Sequence, residues 1–246
     1  MAEFLIYPDT TTLAQAAAEQ IVNVCASALT RHECVSLALC GGSTPRAIYS
    51  LLGQGAYSAQ LDWRRLHIFW GDERLVPPDH PESNYLMAWE HLLSPLPIPA
   101  ENIHRMCGEL EPDEAAADYE LELRRFFGIA GDQPPAFDLI LLGMGEDGHV
   151  ASLFPGSPAL QVQDRWVSAV EHNVPPPPLV PRLTLTLPVL NAARNVVLVV
   201  SGERKAERLR QVFAGGAVAD QLPAARLSLK SGRLVWLLDA EAASLL

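Results

Sequence analysis

Val35-Ser36-Leu37-Ala38-Leu39-Cys40 alternates like a strand and passes without a spacer into Gly41-Gly42-Ser43-Thr44-Pro45. Pro45 fits the first helical position behind a Thr44 cap, because the N–H that proline lacks is one that a helix start leaves unpaired anyway. A helix through Leu51-Leu52 follows. The same strand-to-helix alternation continues in both directions. Asp9-Thr10-Thr11-Thr12 offers N-caps, and Leu13, Ala17, Ile21, Val24, Ala28 and Leu29 recur at helical spacing, predicting a helix over 10–31. Leu66 to Trp70 reads as a second strand ending at Gly71-Asp72-Glu73-Arg74. The proline-bearing stretch Leu75 to Ser83 reads as loop, and Ser83 caps a helix carrying Leu86, Trp89, Leu92 and Leu93.

Downstream, a helix from Asp113 to Phe127 precedes a strand over Phe137 to Leu142. Strands are predicted at Trp166–Val170, Arg182–Leu187, Asn195–Val200 and Leu234–Leu238, with a short helix from Pro188 and another over Glu203–Phe213. Near-continuous apolar strands alternating with helices predict an α/β fold, a mostly parallel sheet with helices on both faces. No internal repeat occurs, and the proline runs at 95–99 and 175–181 do not separate regions of different composition. One domain over residues 1–246 is expected, with allowance for a small extra lobe.

Composition bounds the function. Of 246 residues 49% are apolar and 19% charged, too apolar for a disordered chain, and the net charge is −11. A nucleic-acid or anionic-membrane surface is thereby disfavoured, since nothing offsets phosphate repulsion. Lys205 and Lys230 are the two lysines. An anionic ligand must therefore be held by a small local cluster, mostly of arginines. Cys25, Cys34, Cys40 and Cys107 form no CxxC pair and no metal-like spacing, which suits reduced core thiols in a cytosolic protein. No signal-peptide pattern opens the sequence, and the apolar runs fall far short of the ~18 residues a membrane span needs. A cytoplasmic protein is expected.

In open α/β sheets ligands bind beyond the carboxyl ends of the strands, and three strands here end in polar, glycine-bearing loops. Gly41-Gly42-Ser43-Thr44-Pro45-Arg46 suits a phosphate: glycines admit close backbone approach, hydroxyls donate, and a helix N-terminus supplies free N–H groups. It departs from both GxxxxGK[ST] and GxGxxG, so a monophosphate fits better than ATP or NAD. A plain turn with a Ser/Thr cap explains the spacing about as well. Gly143-Met144-Gly145-Glu146-Asp147-Gly148-His149 bends sharply around acid–base groups, and an imidazole beside a carboxylate suits proton transfer. The bland alternative has His149 capping the turn over Val150–Phe154. In the remaining loop Arg74 could bind phosphate or stabilise an oxyanion, or simply pair with a neighbouring acid. Lys205 and Arg182 could reach the same crevice or be solvated charges. Arg204, Arg208 and Arg210 read as a solvated helix face, His67 and His104 as structural, and His32, His80, His91 and His172 as exposed.

Taken together, Gly41–Pro45, Trp70-Gly71-Asp72-Glu73-Arg74 with Val76-Pro77, Ser83-Asn84-Tyr85, Gly143–Pro155, the Arg182-Leu183-Thr184-Leu185-Thr186 segment and Ser201-Gly202 with Lys205-Ala206 resemble the 6-phosphogluconolactonase family, in order, over roughly residues 10–240. The resemblance implies a modified Rossmann-like α/β fold shared with glucosamine-6-phosphate deaminases and ribose-5-phosphate isomerases. It implies hydrolysis of 6-phospho-D-glucono-1,5-lactone to 6-phospho-D-gluconate in the oxidative pentose phosphate pathway, with no cofactor and no metal. The implied catalytic residues are His149, Asp147 and Arg74. Gly41, Gly42, Ser43, Thr44, Arg46, Asp72, Gly145, Gly148, Arg182 and Lys205 would bind substrate. Asp147 would either orient the imidazole or contact a sugar hydroxyl, and stretch 175–181 matches a variable part of the family.

Two rivals remain at this stage. A glucosamine-6-phosphate deaminase shares the first and third loops, but continues with a Phe-Asn-Glu-Pro-like segment where Ser152-Leu153-Phe154-Pro155 stands here. A non-catalytic sugar-phosphate sensor would keep the phosphate loop without needing His149. The partner implied is the small sugar-phosphate lactone, with no nucleic acid or membrane, and the chain is expected as a monomer or weak homodimer.

Overall fold

The computed structural model describes residues 3–246. Six parallel strands form the main sheet in the order β1-β9-β8-β5-β2-β3. They are β1 (Glu3–Tyr7), β2 (Val35–Leu39), β3 (Leu66–Trp70), β5 (Leu139–Gly143), β8 (Asn195–Val200) and β9 (Arg233–Asp239). A second, antiparallel sheet in the order β4-β7-β6 consists of β4 (Asp72–Arg74), β6 (Val167–Val170) and β7 (Arg182–Leu185). The helices are α1 (Thr10–Leu29), α2 (Ser43–Leu52), α3 (Gly55–Ser58), α4 (Asn84–Ala88), α5 (Pro112–Phe127), α6 (Leu187–Ala192) and α7 (Ala206–Ala214).

Local chemistry explains the principal elements. Asp9 and Thr12 close a reciprocal capping box at the start of α1, with Thr12 N donating to Asp9 Oδ1 at 2.8 Å. Behind it Leu13, Ala17, Ile21 and Cys25 are fully buried, and the helix crosses β1, β2, β5, β8 and β9. Gly128, at φ 64°, ends α5 in the left-handed conformation that spares glycine a Cβ clash. β2 is buried along its whole length, as a central parallel strand must be. Both sheets feed one continuous apolar cluster, which includes Leu37 and Ile140 from one and Val167 and Leu183 from the other.

Two features of the topology place a cleft. Chain connectivity reverses direction between β2 and β5, the position at which such sheets open a crevice. These two strands pair only at Leu37↔Leu139 and Ala38↔Ile140. On their outer sides the ladders continue to Leu39↔Trp70 and Gly143↔Val199, so β2 and β5 part at their carboxyl ends. Gly71 then joins the sheets: its N–H donates to Leu39 O and its carbonyl accepts from Leu185 N, both at 2.8 Å.

Several expectations need correction. The segment after Trp70, read as loop, forms β4; three charged residues carry no apolar alternation, and the strand is held instead by its ladder to β7 and by the buried Glu73 carboxylate. β1 was not anticipated, since Glu3-Phe4-Leu5-Ile6-Tyr7 at a sheet edge has no alternation to reveal it. The helix after Ser83 is α for Asn84–Ala88 and then widens into a π-turn over Trp89–Leu93. α2 starts at Ser43 with Gly42 as its cap, not Thr44, and Gly42 achieves this at φ 115°, where a side chain would be strained.

Candidate active site

The opening between β2 and β5 leads into two adjoining cavities of about 420 and 450 Å³ that share Gly41, Gly42, Gly143, Met144, Glu146, Arg204 and Lys205. The larger is lined at one end by Ser43, Thr44, Ser201 and Gly202. The other holds His149, Asp72, Arg74, Asn84 and Arg182, with Pro176 and Pro177 along one side. One end is thus made of a helix N-terminus with Lys205 and Arg204 beside it, the other of acid–base groups with Arg74 and Arg182.

At the first end, the N–H groups of Ser43 and Thr44 lie ahead of the first helical bond of α2, Arg46 N to Gly42 O at 3.1 Å, and no side chain caps them. They are open donors at the positive end of a ten-residue helix. Lys205 reaches across the opening, its Nζ donating to Met144 O at 2.8 Å. Burial lowers the Lys205 pKa, opposed by the charges of Glu146 and Asp147. Arg46, expected to balance a phosphate here, is exposed on α2 and lines neither cavity. Pro45 occupies the third helical position, so the turn carries Arg46 past the opening. Arg204, read as part of a solvated helix face, lines both cavities and pairs with Glu146 at 3.1 Å. It lies in a short 3-10 turn over Glu203–Lys205 ahead of α7, which brings Arg204 and Lys205 together at the opening.

At the other end, Asp147 and His149 form a dyad with Nδ1 2.6 Å from Asp147 Oδ1, and the same oxygen accepts His149 N at 3.2 Å. An ionised carboxylate only accepts, so Nδ1 carries a proton, and in the neutral ring that leaves the lone pair on Nε2. For Asp147 burial is the largest influence and raises the pKa. The hydrogen bonds and charge of His149 together outweigh it and hold the carboxyl below its ordinary value. The dyad fixes a residue beside it: a Cβ on Gly145 would overlap the His149 ring and come within 2.5 Å of Asp147 Oδ1. Gly148, at φ 87°, supplies the bend and lies against Leu222.

Arg74 and Arg182 face each other directly across β4 and β7. Like charges in that position repel, and an anion between them would relieve the cost. Arg182 is 5% exposed, and burial with the Arg74 charge pushes its pKa down to about 10. Arg74 Nη1 donates to Glu82 O at 2.5 Å, while its buried Nε has no partner among the described residues. Asp72 is buried, accepting Ser152 Oγ at 2.7 Å and Asn84 Nδ2 at 3.4 Å. Glu73 accepts Arg74 N, Asn84 N, Tyr85 N and Ser83 Oγ, clamping the 83–85 segment to β4. Asn84 in turn explains Gly41, where a Cβ would overlap the Asn84 amide. No group of three or more His, Cys, Asp or Glu side chains among the described residues is arranged to hold a metal ion.

A family model described as glucosamine-6-phosphate isomerases/6-phosphogluconolactonase matches residues 8–236. The chain belongs to this family. Within it, a 6-phosphogluconolactonase from a Nostoc species is 42% identical over 238 residues, covering 96% of this chain and 95% of that protein. One from a Synechocystis species is 45% identical over 208 residues, covering 84% and 82%. Among solved structures, the 6-phosphogluconolactonase from Trypanosoma cruzi superposes with a TM-score of 0.86 at 32% identity, covering 99% of this chain and 96% of that one.

Of the family positions singled out in the sequence, the cleft gathers Gly41, Gly42, Ser43, Thr44, Asp72, Arg74, Gly145, His149, Arg182 and Lys205. Asp147 joins them through His149, and Gly148 stands behind the loop as its bend. Sequence reading overlooked the proline stretch, which lies along the cleft, and misplaced His172, which is 2% exposed rather than solvent-facing. Neither carries a periodic or motif signal, because both sit in irregular chain whose position is set by tertiary contacts.

Proposed function

We propose that this member of the family hydrolyses 6-phospho-D-glucono-1,5-lactone to 6-phospho-D-gluconate, the ring-opening step of the oxidative pentose phosphate pathway. The observation that carries this reading is the His149–Asp147 dyad standing in one cleft with a separate N–H-rich end that also carries Lys205 and Arg204. A six-carbon lactone bearing a terminal phosphate has the matching polarity. Its phosphate rests on the Ser43 and Thr44 N–H groups with Lys205 and Arg204 beside it, and C1 lies near His149 Nε2.

Water attacks C1 as its proton passes to Nε2, and Asp147 holds the imidazolium that forms. Charge developing on the carbonyl oxygen is met by Arg74 or by N–H groups of Gly143–Gly145. Collapse of the tetrahedral intermediate breaks the bond from C1 to the ring oxygen, which takes the proton from Nε2. The free acid then ionises. Asp147 serves as orienting group, its Oδ1 accepting both the Nδ1–H and the backbone N–H of His149.

The test is lactone decay at mildly acidic pH, where spontaneous hydrolysis is slow, with glucose-6-phosphate dehydrogenase generating substrate in situ. Acceleration that disappears in His149→Ala, with 6-phosphogluconate still bound, supports the assignment. Release of ammonia from glucosamine 6-phosphate instead moves the chain to the deaminase branch, and binding without turnover makes it a sensor.

A further inference from the structure

Four consecutive residues, Pro175–Pro178, form a strap along the cleft, with Pro176 and Pro177 lining the same cavity as His149, Arg74 and Arg182. Proline has no N–H, so over this stretch the strap has no backbone donor with which to tie itself down. It is held through its carbonyls instead. Pro176 O accepts from His172 Nε2 at 2.6 Å and Pro178 O from Arg182 Nη2 at 2.8 Å, while Pro181 O accepts from Leu75 N at 2.9 Å. Arg182 itself lines the cavity and Leu75 contributes only a backbone N–H, which leaves His172 as the side-chain latch that is not also a wall of the cleft.

His172 makes a second contact. Its ring stacks on Phe154 with centroids 4.1 Å apart and planes 13° from parallel, and Phe154 in turn lies 4.7 Å from the His149 ring. Asp147 holds His149 at Nδ1 but leaves rotation about that bond to whatever packs on the ring faces. We propose that His172 is a positioning residue of the site, one side chain that fixes both the proline strap over the cleft and, through Phe154, the orientation of the His149 imidazole. Because a carbonyl can only accept, His172 works as the Nε2–H tautomer. Burial, with the nearby Arg182 charge, also lowers its pKa against the opposing pull of the Pro176 carbonyl, in the direction that favours the neutral ring.

The inference rests on the lactonase reading, and its two contacts separate by substitution. His172→Phe retains the stack and removes the latch, so KM for the lactone rises about fivefold, the loss of one ordinary hydrogen bond, with kcat within about twofold. His172→Gln retains a donor at the Nε2 position and removes the ring, so kcat falls about fivefold with KM nearly unchanged. His172→Ala shows both losses. Both constants unchanged in His172→Phe and His172→Gln would overturn the proposal. Indistinguishable losses in those two variants would also overturn it, since a merely structural residue gives no such split. If His172→Ala does not fold, the other two carry the test. Absence of lactonase activity in the wild type would overturn the assigned reaction and not the latch. The latch is then read by calorimetry of 6-phosphogluconate, whose affinity is expected to weaken about fivefold in His172→Phe, and equal affinity would refute it.

Discussion

Gly145→Ala isolates the geometry of the dyad from its chemistry, because it removes no functional atom. The Cβ would lie 2.5 Å from Asp147 Oδ1 and closer still to the His149 ring, whereas ordinary contact begins at 3.4 Å. The carboxylate must therefore retreat by about 0.9 Å and the ring by more. Misplacing a reacting group by about 1 Å costs on the order of a hundredfold, or ~2.7 kcal/mol of barrier. The backbone at Gly145 is not in the left-handed region, so alanine brings no conformational strain of its own. Expected is a fall of roughly a hundredfold in kcat with an unfolding midpoint close to wild type. The assay follows lactone decay by continuous alkali titration of the acid released, beside thermal unfolding of the same preparation. A folded variant retaining more than a third of wild-type kcat would refute the claim that this glycine exists to admit the dyad.

Other consequences follow from the same structure. Asp147→Asn replaces the oxygen that fixes the Nδ1–H tautomer, and kcat should fall by 10² to 10⁴ or so. Because the Asp147 pKa is depressed in the folded state, its stabilisation relative to that variant is present above the ordinary value of about 3.9 and lost as pH falls through the lower folded value, which acid titration of unfolding would show. Lys205→Met should raise KM for the phosphorylated lactone by about ten- to a hundredfold while sparing unphosphorylated gluconolactone, and equal effects on both would place Lys205 elsewhere. His67, hydrogen-bonded to His104 at 2.9 Å, has a pKa lowered first by burial and then by its neighbour. The unfolded chain therefore takes up the proton first, so stability should decline as pH drops below about 6.5, and His67→Gln should flatten that slope.

Legibility in the sequence followed the kind of force that sets each part. β2, β3, β5 and β8 announce themselves because burial on both faces demands an apolar run, and the loops after them could be located by strand ends alone. Gly145 and His149 were legible as a cluster, but the reason for Gly145 was not: it makes room for a side chain four residues on, which only coordinates reveal. β4 stayed hidden because Asp72, Glu73 and Arg74 are held by cross-strand bonds and by a clamp to Ser83–Tyr85, contacts no local pattern encodes. Arg46 stands exposed on α2, outside the two cavities, for a related reason: the helix begins two residues earlier than the Thr44-Pro45 pattern suggests, and each residue turns a side chain by about 100° around the axis.

The short ladder between β2 and β5 has a mechanical meaning. The β2–β5 junction, one strand in from the β3 edge, is the main sheet's weakest seam in backbone bonds, with two residue pairs joining strands whose outer neighbours share four or five. A ligand lying across Gly41–Gly42 on one strand end and Gly143–Gly145 on the other acts as a clasp on that seam. Occupancy at a hundred times Kd would add about 2.7 kcal/mol to global stability. Amide exchange should slow most at the carboxyl ends of β2 and β5, so the enzyme would be at its most cohesive while its substrate is in place.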